Sequence, residues 1–173
     1  MAERNILVTG AASGIGAAAC RALAGPGVAI AVHTRGNREG SARTAEAVRA
    51  RGGLAFEIFC DLSEAGAPEH AVQEAAGLLG GLDVVVSNAG FADRTPIAAL
   101  TDEGFIRSQD AIALAFLRLA REAGPILKQG RDPRLVAVSS FVAHLFRNDV
   151  TGFPASAAAK APSPPHPATH PSP

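Results

Sequence analysis

Residues 9–16 read "TGAASGIG", and how this stretch is understood decides the fold. On one side, Ile6 to Thr9 is a continuous apolar run of strand length; on the other, a small-residue segment with helical spacing extends to Gly25-Pro26-Gly27. Glycines at 10, 14 and 16 let the backbone turn tightly and come close to a ligand. The free N–H groups and positive dipole end of the helix that follows suit a pyrophosphate. A glycine-rich turn by itself also serves ordinary loops. One that closes a strand and opens a helix at the start of a chain predicts nucleotide binding, here through Gly10, Ser13, Gly14, Ile15 and Gly16.

Working outward, apolar runs of strand length alternate with helix-period stretches. Val28 to His33, Leu54 to Cys60, Leu82 to Ser87 and Arg134 to Ser139 read as further strands. Between them, Glu39 to Arg51, Glu69 to Leu79 and a long stretch from Asp102 to Lys128 read as helices, the last with a break expected at Gly124-Pro125. Continuous apolar strands joined by helices predict a parallel sheet covered on both faces: a Rossmann-like, doubly wound, three-layer α/β fold. Such a fold puts its ligand crevice at the carboxyl ends of the strands. Residues 1–161 read as one nucleotide-binding domain. Residues 162–173, "PSPPHPATHPSP", are half proline and read as an extended, disordered tail. His166 and His170 lie four apart in that tail, but without a helix the spacing predicts no metal site.

At 173 residues and 47% hydrophobic content the chain suffices for one domain with a sizeable core. Sixteen basic and sixteen acidic residues balance, with no basic run, which argues against nucleic-acid or anionic-membrane partners. Cys20 and Cys60 fall within apolar segments and read as small buried hydrophobes. The N-terminus has no signal-peptide pattern, and no apolar run approaches the roughly 18 residues of a spanning helix, so a cytoplasmic location is expected.

The second strand ends in "HTRGNRE", residues 33–39, without the carboxylate that would receive ribose hydroxyls. Arg35, with Asn37 in the same loop, is instead placed for a 2′-phosphate, favouring NADP over NAD. Three more signals follow in order: "CDLS" at 60–63, "SNAG" at 87–90 and "AVSS" at 137–140. With the glycine turn, they make residues 4–161 resemble the short-chain dehydrogenase/reductase family, and the "VH" of the second strand resembles its 3-oxoacyl-carrier-protein reductases. The resemblance implies that Asp61 and Leu62 meet the adenine and that Asn88, Ala89 and Gly90 lie against the cofactor ribose. It also implies that Ser140 holds the oxygen of a small carbonyl or alcohol substrate, and that Lys160 binds the nicotinamide ribose while lowering the pKa of a tyrosine. A turn-capping role for Asp61 or Ser63 stays open beside this.

The sequence departs from that pattern in three places. Counting back four from Lys160 gives Ser156 where the tyrosine is expected, and the chain contains no tyrosine. A serine hydroxyl is a far weaker acid than a phenol and reaches less far. Ile112 stands where an asparagine would support a water chain, and a proline-rich ending replaces the family's remaining helix and strands. The expectation is an NADP-dependent oxidoreductase with Ser140 and Lys160 kept and Ser156 in the acid's place. The alternatives are a non-catalytic NADP-binding homologue acting as partner or sensor subunit, and an inactive truncated product. The long helix from Asp102 offers a surface for homo- or hetero-oligomers.

Overall fold

The structure, a computed structural model, describes residues 3–144 and 152–161. Its centre is β1 (Arg4–Val8), whose successive side chains enter opposite cores because strand side chains alternate. Leu7 joins Ala31, Ile58 and Val85 on one face, while Ile6 and Val8 join Ile30, Val32 and Val84 on the other. A strand buried on both sides must be apolar throughout, which is why "ILV" shows no alternation.

Four strands flank it: β2 (Val28–Thr34), β3 (Leu54–Phe59), β4 (Val84–Ser87) and β5 (Arg134–Ala137). All pairings are parallel and the spatial order is β3-β2-β1-β4-β5. Helices α1 (Gly14–Leu23) and α2 (Arg38–Arg49) cover the Ile6 face, supplying Cys20 and Val48. Helix α3 (Ala67–Leu79) and a later helix over Ala115–Leu127 cover the Leu7 face, supplying Val72 and Leu119. The doubly wound α/β architecture expected from the pattern is the one found. Chain order reverses between β1 and β4, and the carboxyl ends of the strands open there into a crevice.

The long helix differs from expectation. It runs as α4 (Asp102–Ser108), a π-helical segment at Gln109–Leu114, and α5 (Ala115–Leu127), which continues straight through Pro125. Proline there forfeits only one bond near the helix end, at exposed Arg121. The irregularity sits at the π segment instead, which carries Ile112. A short α6 (Pro154–Lys160) packs on this segment and on α4.

Strand β5 is the reverse of β1. It is an edge strand whose four residues are all exposed, Leu135 and Val136 at 40% and 43%. Cys20 is fully buried and Cys60 half-buried, and both are free thiols. Among the described residues no helix is long and apolar enough to cross a membrane. The proline-rich segment 162–173, with His166 and His170, lies outside the described residues.

Candidate nucleotide-binding and catalytic site

The ends of β1, β2 and β3 border a groove of about 600 Å³ that reaches from Asp61 and Leu62 past Gly10 to Gly90. At its floor the glycine turn packs backbone on backbone. A Cβ on Gly16 would lie 2.5 Å from the Gly10 carbonyl oxygen, and one on Gly10, at φ 64°, would lie 2.8 Å from the Ala89 Cα. Gly14, at φ 54°, has nothing within 4 Å of such an atom, so the turn is closed behind and open in front. Ser13 precedes α1 in extended conformation without a side-chain cap bond, so its side chain does not engage the first N–H groups of the helix. Ile15 stands beside them, 66% exposed. These features fit a dinucleotide pyrophosphate.

Buried hydrogen bonds weld the turn to the sheet. The Thr9 hydroxyl accepts from the backbone N–H of Asn88 and of Ala89, each at 3.0 Å. The Asn88 amide nitrogen donates to the carbonyls of Thr9 at 2.9 Å and Gly10 at 3.2 Å. Across the turn, Gly10 N–H donates to His33 Nδ1 at 3.4 Å, and His33 Nε2 lies 3.1 Å from the Cys60 carbonyl. Burial holds the His33 pKa below its ordinary value, with partial compensation from the Cys60 carbonyl and Asp61.

At the groove mouth Asp61 accepts from Ser63 N–H at 3.0 Å and from the Ser63 hydroxyl at 2.7 Å. It also pairs with Arg35 at 3.6 Å. Burial opposes the carboxylate, but the bonds from Ser63 and the Arg35 guanidinium outweigh it and hold its pKa below the usual range. The Arg35 side chain is 80% exposed beside the groove. Asn37 is engaged elsewhere, since its side-chain oxygen caps α2 by accepting from Gly40 N–H at 2.9 Å.

The other end of the crevice is built from β5 and α6. Ser140 follows β5 half-buried and makes no cap bond to the 3-10 turn at Phe141–Ala143. The Ser139 hydroxyl donates to the Lys160 carbonyl at 2.9 Å and lies 3.0 Å from His144 Nε2. Lys160 Nζ donates to the Val138 carbonyl at 3.1 Å and sits against Gly90, where an added Cβ would be 3.1 Å away. Burial lowers the pKa of this amine. Ile112 is buried and walls an apolar cavity of about 120 Å³ between Ala89, Val138 and Lys160. Ser156 is 3% exposed; its hydroxyl accepts from Asp93 N–H at 2.7 Å and donates to the Phe91 carbonyl at 3.2 Å.

A short chain dehydrogenase family model matches residues 4–162, nearly the whole described chain. The chain belongs to the short-chain dehydrogenase family. It is 35% identical over 136 residues to an uncharacterized oxidoreductase of Methylorubrum extorquens, an overlap covering 79% of this chain and 54% of the relative. Among solved structures it resembles a short-chain dehydrogenase of Burkholderia cenocepacia in complex with NADP, with 29% identity and a TM-score of 0.84, over 92% of this chain and 64% of that one. It also resembles a 3-oxoacyl-(acyl-carrier-protein) reductase of Agrobacterium tumefaciens with NADP bound, at 29% identity and a TM-score of 0.82, over 92% and 60%. The chain thus spans about half the length of the curated relative and under two thirds of the solved ones.

Of the residues the sequence singles out, Gly10, Arg35, Asp61, Leu62, Ala89 and Gly90 line the groove, and Ala89 and Lys160 line the apolar cavity beside it; Ser13, Gly14, Ile15, Gly16, Asn88 and Ser140 follow β1, β4 and β5 without lining either. Two expected site residues have other partners. Asn37 caps α2, and the Ser156 hydroxyl accepts from Asp93 N–H and donates its proton to the Phe91 carbonyl. Two residues that sequence reasoning passes over, Thr9 and His33, hold the glycine turn. Both are polar residues in apolar strands with no exposure to spare, at 0% and 2%, and polarity inside a buried strand is the available signal.

Proposed function

We propose that this short-chain dehydrogenase binds NADP(H) in the groove along β1 to β3. The glycine turn and the first N–H groups of α1 would take the pyrophosphate, Asp61 and Leu62 the adenine, and Arg35 the 2′-phosphate. The observation that carries this reading is the end of β2, where exposed Arg35 stands over the groove and no carboxylate occupies the ribose position. The NADP in the two solved relatives supports it. When bound, the reduced nicotinamide supplies hydride for a small carbonyl compound, or its oxidised form accepts hydride from an alcohol. On the protein side, Ser140 orients the substrate oxygen and the Lys160 ammonium favours negative charge developing there.

A second reading, a nucleotide-binding homologue without turnover, is favoured by one observation: the hydroxyl at the phenol's position is buried and already bonded to Phe91 and Asp93. One experiment separates the two. Purified protein is titrated with NADPH and with NADH by calorimetry, then mixed with NADPH and 3-oxoacyl thioesters while absorbance is followed. Tight NADPH binding with turnover supports the oxidoreductase; the same binding without turnover supports the homologue. No binding of either dinucleotide sinks both.

A further inference from the structure

We propose that His33 is a positioning residue of the nucleotide site: its neutral imidazole ties the glycine turn to the end of β3, and dinucleotide affinity is lost when that ring takes up a proton. The inference rests on the reading of the groove as a dinucleotide site. Its geometry is set by two atoms. Gly10 N–H points at Nδ1, so Nδ1 carries a lone pair. The single ring proton therefore sits on Nε2, where the Cys60 carbonyl receives it at 3.1 Å. One side chain thus spans both walls of the groove, the phosphate-facing turn and the adenine-facing end of β3.

Protonation reverses one of these contacts. An imidazolium would present Nδ1–H to the Gly10 N–H, two donors facing each other at a site where the ring is 2% exposed and water cannot intervene. The turn cannot move away from it, since Ala89 backs Gly10 at contact distance. It yields toward the ligand. The fold itself is held by a separate bond, Ala11 N–H to the His33 carbonyl at 2.8 Å, which protonation leaves intact. Around the ring, the segment after β3 contributes the Cys60 thiol and the Asp61 carboxylate, and the segment beyond β2 contributes Arg35. Glu64 and Glu74 act on Cys60 from the α3 side. The glycine turn adds no titratable group. The Cys60 carbonyl and, less strongly, Asp61 favour the charged ring, and burial outweighs both.

The sign follows. With its folded-state pKa below the ordinary histidine value of about 6.5, His33 favours the folded and binding-competent form above that value. That contribution is lost as pH falls through the lowered folded-state value. Below it the competent fraction, and with it affinity, drops about tenfold per pH unit.

The test measures the NADPH dissociation constant by calorimetry between about pH 8 and about pH 5, with far-UV circular dichroism at each point, for wild type, His33→Asn and His33→Leu. Asparagine keeps an acceptor near the Nδ1 position but not the bond to Cys60 and does not titrate, so it should bind more weakly than wild type and more tightly than leucine at neutral pH, and lack the His33 limb on the acid side. Leucine keeps the volume but offers no acceptor, and should bind at least tenfold more weakly at every pH. The ligand's own phosphate titration is common to all three and cancels in the comparison. The same pH profile for wild type and His33→Asn would overturn the proposal. Should no variant bind NADPH at any pH, the dinucleotide reading fails by itself. The His33 bridge is then read from the Gly10 amide resonance, which should shift with the His33 titration in wild type and stay put in His33→Asn; a Gly10 resonance indifferent to that titration defeats it.

Discussion

The glycine turn and the β5–α6 corner lie at opposite ends of one crevice and are built in opposite ways. Behind the turn three polar side chains are doubly bonded: buried Thr9 to residues 88 and 89, half-buried Asn88 to two carbonyls, and buried His33 to Gly10 and Cys60. At the corner the supporting strand is an exposed edge, Ser139 and His144 are exposed, and the Ser156 hydroxyl serves a neighbouring loop. The glycine turn is over-determined by long-range bonds. The end where chemistry would take place is held by short segments and one lysine. On the proposed function, the difference predicts that nucleotide binding and turnover are separable in this chain.

The sharpest way to break the comparison is Gly16→Val. Even the first carbon of the new side chain would lie 2.5 Å from the Gly10 carbonyl, so the turn must open. Overpacking of this kind costs about 1–3 kcal/mol, and NADPH binding should vanish while the sheet persists, as read by calorimetry and circular dichroism. Next comes Thr9→Val, which is close in shape but removes the acceptor of two N–H groups. A loss of about 1–3 kcal/mol in denaturant unfolding is expected, because buried donors are left unpaired. Stability unchanged by this substitution would mean that the turn is not welded as described.

At the other end, Ser156→Tyr tests whether the corner merely lacks its phenol. The serine is 3% exposed with its oxygen against the 91–93 loop, so a ring there must displace that loop. The expected outcome is a destabilisation of about 1–3 kcal/mol and no gain in NADPH oxidation. A rise in turnover at unchanged stability would show the loop to be displaced at no cost. The smallest effect on stability belongs to Arg35→Ala, since an exposed ion pair is worth less than about 1 kcal/mol. Its effect should fall on cofactor choice instead: about tenfold weaker NADPH binding with NADH binding unchanged, for the loss of one charge-assisted contact.

How much of this is visible along the chain depends on the range of the interaction. The strand–turn–helix at 9–16, the alternation of apolar runs, and the identity of the parallel sheet are local patterns, and they read correctly. Boundaries slip where local pattern and pairing compete: β4 begins at Val84, not Leu82, and β5 ends at Ala137, not Ser139. Pro125 reads as a helix break because its missing donor is a local fact; that the helix continues follows from its position near the end. Ser156 is legible as the residue four before Lys160. Its partners lie 63 and 65 residues away, beyond any spacing rule.

By itself, then, the sequence determined the order and type of the elements, the glycine positions where only a bare backbone fits, and the absence of a phenol anywhere in the chain. Those depend on side-chain identity and nearest neighbours. Tertiary structure alone decided which polar groups are free to meet a ligand and which are already taken. Asn37 and Ser156 are occupied, Arg35 stands over the groove in an exposed ion pair, and His33 is turned inward as a bridge. A hydrogen bond is a claim on a donor or acceptor by whatever packing brings near, and packing joins residues that the chain keeps far apart.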